Sequence, residues 1–194
     1  VSQLDLTFEV LMNADDRIIG PRRDERPVVV ISDGACEEGE TGTSIGAVLL
    51  DPADGAVEYY GAIVSQELVR SWCSTAEQKQ VIGQAELYPM LVSRLTWGAR
   101  MKGCRVIYFV DNGSARLGMI KAYSPVVASL EIISEALMYD HLLASVGWYS
   151  RVPTASNIGD GPSRMDDTMV KLLPGARAVD PVFPRGVVPV RVLR

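Results

Sequence analysis

Runs of hydrophobic residues predict three strands in the first third of the chain. Residues 27–35, Pro-Val-Val-Val-Ile-Ser-Asp-Gly-Ala, hold four β-branched residues in a row, which is typical of a strand buried on both faces. Two further apolar runs follow at residues 45–50 and 56–64, separated by the turn signal Ala53-Asp54-Gly55. The short connections between these runs predict an antiparallel meander.

After residue 65 the apolar positions recur at helical spacing. Residues 78–101 are predicted to form a helix, and Pro89 should kink it because the proline ring clashes with the carbonyl four residues back. Further helices are predicted at residues 115–123, 125–145 and 160–173. Two more strands are predicted between them, at residues 105–110 and 146–152.

This order of elements predicts an α/β fold with a mixed five-stranded sheet, in which parallel strands extend the three-strand antiparallel meander and helices flank the sheet. The first and fourth strands are expected to be central, parallel neighbours. Residues 1–26 are interpreted as an N-terminal extension or linker and residues 27–173 as the domain. Residues 174–194 contain four prolines and are expected to be an extended or disordered tail unless a partner orders them.

Composition limits the class of protein. The 194 residues suit one domain, and the 47% apolar content is enough to build a core. No apolar run is long enough for a membrane span, and the start does not resemble a signal peptide. The three scattered cysteines argue against a disulfide framework or zinc site, so an intracellular, reducing compartment, cytoplasmic or nuclear, is expected. The net charge of −5 does not favour nucleic-acid binding, but cations held at an acidic site can contact phosphate.

Four acidic residues are expected to converge at one end of the sheet. Asp33 and Asp111 end the two strands predicted to be parallel neighbours, so both emerge at the same edge. Glu86 lies on the helix between them, and Asp160 follows the last strand. Carboxylates that converge repel one another unless divalent metal occupies the centre, and two cations about 4 Å apart could clamp a phosphate. Each residue alone could be a cap or a surface charge, but their joint occurrence favours a metal site.

The same residues carry a resemblance to a known family. The order strand-Asp33, helix-Glu86, strand-Asp111-Asn112, then Asn157-x-x-Asp160 resembles the ribonuclease H superfamily. Residues 152–164, Val-Pro-Thr-Ala-Ser-Asn-Ile-Gly-Asp-Gly-Pro-Ser-Arg, are similar to the end of the ribonuclease H domains attached to reverse transcriptases of LTR and tyrosine-recombinase retroelements. The resemblance covers about residues 27–164, and the four pieces in order are more specific than any one of them.

This resemblance implies a ribonuclease H-like fold and a magnesium-dependent endonuclease that cuts the RNA strand of RNA/DNA hybrids. Water would attack in line and leave a 3′-hydroxyl and a 5′-phosphate. Asp33, Glu86, Asp111 and Asp160 would be the catalytic ligands of two Mg²⁺ ions, with Mn²⁺ as a substitute. A reverse transcriptase or polymerase domain, covalently linked or associated, is the implied partner. Cellular ribonucleases H carry a histidine in the loop before the last aspartate, and this loop has none; His141 lies on a helix and is interpreted as structural.

Polar and basic residues beside the four carboxylates are the candidate substrate contacts. Each has an ordinary structural explanation as well, since exposed basic residues usually meet only water and asparagine is a common turn former. The candidates are Asn112, Arg116, Arg151, Asn157 and Arg164.

Two other functions remain open on the sequence. The same metal site would serve a DNA nuclease, such as a junction resolvase, a transposase-like enzyme or an exonuclease, because this fold hosts all of these. A non-catalytic module that braces a polymerase is the third hypothesis. The intact set of four acidic residues counts against it, because a scaffold has no need of carboxylates that repel one another.

Overall fold

In the computed structural model the described residues are 27–36, 42–73 and 81–193, together with Met12. The extension predicted for residues 1–26 falls outside these ranges apart from Met12, as do most of the loop predicted after residue 36 and the start of the helix predicted from residue 78. The division of the chain into extension, domain and tail therefore stays a prediction.

Five strands form the sheet that the sequence predicts. They are β1 (Val28–Cys36), β2 (Thr43–Asp51), β3 (Ala56–Ile63), β4 (Arg105–Val110) and β5 (Val146–Arg151). Strands β1, β2 and β3 pair antiparallel, and β4 lies parallel to both β1 and β5. The order β5-β4-β1-β2-β3 confirms the mixed α/β sheet, the meander and the parallel contact between the first and fourth strands.

The C-terminal residues add two short strands to the same sheet. Strand β6 (Ala176–Ala178) pairs parallel with β3, and β7 (Arg191–Val192) pairs antiparallel with it. Between them Phe183 packs against Tyr88, with ring centroids 6.2 Å apart. The sheet of the described residues therefore has seven strands, and the residues predicted to need a partner for order pair with β3 of their own chain. The edge of β3 would otherwise present unpaired N–H and C=O groups, which these segments cover.

Helices lie between and after the strands. They are α1 (Gln66–Trp72), α2 (Ile82–Thr96), α3 (Gly98–Met101), α4 (Gly113–Lys121), α5 (Val127–Leu142) and α6 (Asp160–Ser163). The sequence interpretation missed α1, which Ser65 caps through its side chain. The long helix predicted from Asp160 to about residue 173 is wrong. Helix α6 has one turn, because Gly161 and Pro162 propagate a helix poorly and Met165 adopts a left-handed φ of 61°.

Helix α2 lies against the sheet and is buried from residue 84 to residue 94. Pro89 has no N–H to offer the carbonyl of Ala85, four residues earlier. That carbonyl faces Gly34 of β1, where a Cβ atom would lie 2.1 Å from the oxygen. Only glycine allows the helix to approach the strand this closely, and the approach brings Glu86 to the end of β1. The kink predicted at Pro89 stays a prediction.

The opposite face of the sheet is covered in part by the residues that follow β5. Val170 packs there with Val48 and Tyr59 in a small apolar cluster. The main core, between the sheet and helices α2 and α5, contains Trp72 and Trp97. Trp148 differs, because it lies on the edge strand β5 and is 71% exposed. In the described part of the chain, every helix is too short or too polar to cross a bilayer.

Candidate active site

Asp33, within β1, and Asp111, directly after β4, lie at the same edge of the sheet. Ile31 pairs with Phe109 in the parallel ladder, so Asp33 and Asp111 each follow the paired segment by two residues. Asp33 is 4% exposed because β1 is covered on both sides at this point. The parallel register therefore brings the two side chains together, as the sequence predicted.

Glu86 reaches the same point from α2. Its carboxylate accepts hydrogen bonds from the backbone N–H of Gly34 and from the side chain of Asn112, which fix its position above the strand ends. Asn112 also caps α4, because its Oδ1 accepts from the N–H groups of Ser114 and Ala115 at 3.0 Å. The predicted substrate contact Asn112 thus lies between Glu86 and the start of a helix.

Asp33, Glu86 and Asp111 form one acidic group, called here the carboxylate cluster. One oxygen of each residue lies within 4.8 Å of the others. Burial is the largest cause that raises the pKa of Glu86 to about 8, and the charges of Asp33 and Asp111 add to it. Burial likewise raises the pKa of Asp33 to about 6, against the opposing hydrogen bond from Ser163. The cluster therefore concentrates negative charge where water solvates it poorly.

Asp160, the fourth predicted ligand, is not a member of this cluster. Its Oδ1 accepts from Nε of Arg164 at 2.9 Å, one helical turn further on. Asp160 is nevertheless close enough to the cluster that its charge contributes to raising the pKa of Asp33. The structure thus brings three of the four predicted carboxylates together and directs the fourth toward a cation of its own chain.

Asn157 and Ser163 both donate hydrogen bonds to the carboxylate of Asp33. Asn157 Nδ2 donates to Asp33 Oδ1 at 3.2 Å, and Ser163 Oγ donates to Asp33 Oδ2 at 2.6 Å. Asn157 is 6% exposed, so little of the side chain is available to a substrate. The sequence interpretation did not select Ser163, although it lies within the similar stretch, three residues after Asp160. That spacing was the only signal available for it.

The remaining predicted residues lie around the cluster without joining it. Arg116 is on α4, and its Nε is buried with no hydrogen-bond partner in the described residues. Arg151 ends β5 and is exposed, whereas Arg164 makes the ion pair with Asp160. His141 lies near the end of α5 and is not part of the carboxylate cluster. The substrate-binding roles of Arg116, Arg151 and Arg164 stay predictions.

Comparison with solved structures identifies the fold. No protein-family model matches this chain, and no curated protein matches it. The RNase H1 of the halophilic archaeon Halobacterium salinarum superposes with a TM-score of 0.55 at 15% sequence identity, over 74% of this chain and 98% of that chain. The chain has the ribonuclease H-like fold. At this identity the similarity shows the fold alone, and the chemistry has to be argued from the site.

Two further structures match with lower TM-scores. An N-terminal RNase H domain from Mycobacterium tuberculosis has a TM-score of 0.47 at 15% identity, over 74% of this chain and 94% of that chain. LC11-RNase H1, isolated from compost, has a TM-score of 0.45 at 15% identity, over 76% of this chain and 98% of that chain.

In this ribonuclease H-like chain the carboxylate cluster suits a hard divalent cation. Among the described residues, Glu86 Oε2 and Asp111 Oδ1 are buried and have no hydrogen-bond partner. A buried oxygen without a partner costs about 1–3 kcal/mol or more when charged, and a cation bound between the carboxylates would satisfy both oxygens. Carboxylate oxygens are the ligands that Mg²⁺ and similar ions prefer. The residues present therefore fit a divalent cation.

Proposed function

We propose that this chain is a divalent-cation-dependent endonuclease that hydrolyses the RNA strand of RNA/DNA hybrids, as the ribonuclease H domain of a retroelement replication protein. The observation that carries the proposal is the carboxylate cluster, whose three members come from β1, α2 and the end of β4. The ribonuclease H-like fold supports the nuclease class. The similarity of residues 152–164 to retroelement domains supports the biological context and a linked reverse transcriptase.

The chain's own residues would prepare the site before substrate arrives. Asp33, Glu86 and Asp111 would hold Mg²⁺ or Mn²⁺, while Gly34 N–H and the Asn112 side chain keep Glu86 in place. Bound cations would supply an activated water and neutralise charge on the scissile phosphate. Asp160 would complete the set of ligands, with Arg164 holding it at the rim in their absence. Burial of the cluster limits competition from bulk water for the ligand oxygens.

A groove lies on the helical side of the protein, and its lining does not include the three residues of the carboxylate cluster. Its volume is about 470 Å³, and it runs between the start of α2, the helix α4 and the start of α5. Gln84 and Leu87, on either side of Glu86, form one wall, while Lys121 and Tyr123 form another. The groove therefore offers a cation for a phosphate group and an aromatic ring for a base or sugar. Arg116, Arg151 and Arg164 remain proposed backbone contacts.

A substrate panel tests the function directly. The protein is incubated with labelled RNA/DNA hybrid, duplex RNA, duplex DNA and a four-way junction, with Mg²⁺, with Mn²⁺ or with chelator. Hybrid-specific cleavage that needs a cation and is lost in Asp111→Asn supports the proposal. The matched control is Asp180→Asn, which removes an exposed aspartate outside the cluster. Cleavage of DNA or of the junction alone would instead assign a DNA nuclease, and inactivity on all four with no cation binding would indicate a non-catalytic module.

A further inference from the structure

A row of three residues crosses the sheet beside the carboxylate cluster. Asp33 of β1 pairs with Gly46 of β2, and Gly46 pairs with Gly61 of β3. Side chains in one such row project from the same face of a sheet, so the two glycines leave an open channel next to Asp33. The sequence interpretation assigned no role to either glycine.

Helix α6 occupies this channel. A Cβ atom on Gly46 would lie 2.2 Å from the backbone nitrogen of Ser163, and one on Gly61 would lie 2.2 Å from the carbonyl oxygen of Pro162. Any larger residue at either position would push the segment away from the sheet. Ser44, two residues before Gly46, anchors the same segment by donating its hydroxyl to the carbonyl of Ser163 at 2.5 Å. Contacts with β2 and β3 therefore fix the distance between helix α6 and the sheet, and with it the position of Ser163 relative to Asp33.

The hydroxyl of Ser163 is thereby brought to Asp33. Ser163 is fully buried, and its Oγ lies 2.6 Å from Asp33 Oδ2 and 2.8 Å from the carbonyl of Asp160. A serine has one hydroxyl proton, so it donates a well-aligned hydrogen bond to only one acceptor at a time. A carboxylate is the stronger acceptor, and the shorter contact is the one to Asp33. The bond to Asp33 therefore dominates over a local bond within the short helix.

We propose that Ser163 is a positioning residue for Asp33: it holds the carboxylate in the rotation at which a cation can be bound together with Glu86 and Asp111. This inference rests on the proposed function, since it assigns Ser163 a role toward the same cation. Ser163 and Asn157 each donate a hydrogen bond to a different oxygen of Asp33, so both carboxylate oxygens are held in place. Each oxygen accepts more than one hydrogen bond, which leaves a lone pair on each for a cation.

The bond to Ser163 is expected to matter because outer hydrogen bonds orient the groups that bind metal. Loss of such a partner typically lowers metal affinity or activity by about 10- to 100-fold. Without the Ser163 hydroxyl, Asp33 keeps only the longer bond from Asn157 and is free to rotate about its Cβ–Cγ bond. The cation would then have to order the carboxylate when it binds, which lowers affinity without removing a ligand.

The test compares Ser163→Ala with Ser44→Ala in the full chain. Ser44 anchors the same segment but does not contact Asp33, so it controls for a structural effect. The dissociation constant for Mn²⁺ is measured by electron paramagnetic resonance and that for Mg²⁺ by calorimetry, together with the thermal midpoint of each variant. Ser163→Ala is expected to weaken cation binding about 10- to 100-fold, and Ser44→Ala to change it by less than about threefold. The activity of Ser163→Ala should recover at high Mg²⁺ with an unchanged KM for hybrid.

Unchanged cation affinity in Ser163→Ala, or an equal loss in Ser44→Ala, would overturn the positioning role while leaving the proposed function intact. If the parent protein binds neither Mn²⁺ nor Mg²⁺, both proposals are wrong. If Ser163→Ala does not fold, Ser163→Cys replaces it. The thiol is a weaker donor, so its cation affinity should fall between those of the parent and Asp33→Asn, and parent-like affinity would again contradict the role.

Discussion

Among the described residues, two groups of buried charged side chains differ in how their charges are compensated. Arg94 of α2 is fully buried and forms a bidentate ion pair with Asp140 of α5, with both N–O distances 2.9 Å. Its guanidinium also donates to Tyr149 Oη at 2.7 Å and lies 4.3 Å from the centroid of the Tyr108 ring. Every charge in this group has an opposite charge or a hydrogen-bond partner.

The carboxylate cluster has the opposite character. Its three residues are all acidic, and no basic residue belongs to the cluster. Two of its oxygens have no hydrogen-bond partner among the described residues, and burial together with the nearby carboxylates raises the pKa of Glu86 to about 8. A balanced buried pair connects helices and strands of the core, whereas like charges held together cost stability. Such a cost is retained where chemistry needs it, so the uncompensated charge supports the cluster as the proposed functional site.

The largest effect is expected for Asp111→Asn, which should abolish most of the activity without lowering the stability of the folded protein. Asp111→Asn removes one charge from the cluster and should lower hybrid cleavage by about 10³-fold or more. The free energy of unfolding of the cation-free protein should stay the same or rise, because repulsion with Asp33 and Glu86 is relieved. Cleavage rates and urea unfolding in chelator measure the two quantities. A strong loss of stability would show that Asp111 is structural and would remove the contrast with Arg94.

Substitutions in the buried ion pair between Arg94 and Asp140 should instead lower the stability of the folded protein. Arg94→Met leaves Asp140 buried without its cation and should lower the free energy of unfolding by about 3–5 kcal/mol. The double variant Arg94→Met/Asp140→Leu should be more stable than the single variant, because no unpaired charge remains. Denaturant unfolding of the parent, both single variants and the double variant measures the coupling. Additive losses would contradict the interpretation of the two residues as one charge pair.

The stability of the cation-free protein should fall as the pH rises from about 4 to about 8. Asp33 and Glu86 have folded-state pKa values of about 6 and about 8, above their ordinary values of 3.8 and 4.5. The folded state therefore binds more protons than the unfolded chain in this range, and its advantage is lost as each group ionises. Between pH 5 and pH 8 the two shifts together correspond to a fall on the order of 5 kcal/mol. Urea unfolding at pH 5 and pH 8 in chelator measures it.

Urea unfolding at pH 5 and pH 8 is repeated in the presence of Mg²⁺. A cation that binds only the folded state stabilises it, so Mg²⁺ should reduce the fall between pH 5 and pH 8. Glu86→Gln in chelator should reduce the fall as well, because it removes the group with the higher pKa. If the stability of the cation-free parent rises with pH, ionisation of Asp33 and Glu86 does not destabilise the folded state and the interpretation is wrong.

The smallest effect is expected at the rim. Asp160→Asn should lower cleavage by about 10-fold, less than Asp111→Asn, because Asp160 lies outside the cluster and is paired with Arg164. The activity of Asp160→Asn is measured across a range of Mg²⁺ concentrations beside that of Asp111→Asn. An equal loss in the two variants would show that Asp160 is a full member of the site during catalysis.

Local patterns in the sequence were enough to predict much of the fold and to place two of the three cluster residues, Asp33 and Asp111, at strand ends. The run of β-branched residues before Asp33 and the apolar run before Asp111 each define a buried strand within a few residues. The order of elements, with helix between the meander and the fourth strand, predicts that the two strands are parallel neighbours, which the structure confirms. The pairing of the C-terminal residues was not predictable in this way, because it depends on the edge that the distant strand β3 supplies. The single turn of α6 has a local cause in Gly161 and Pro162, which the sequence interpretation did not weigh.

The sequence by itself determined where the carboxylates lie along the chain, and the tertiary structure decided which of them meet. Helical spacing around Glu86 does not say which side faces the strands; the contact of Ala85 with Gly34 does. The pairing of Arg94 with Asp140 and the bond from Ser163 to Asp33 join residues 46 and 130 positions apart. Such contacts carry no period in the sequence, because they arise only when separate elements pack against each other.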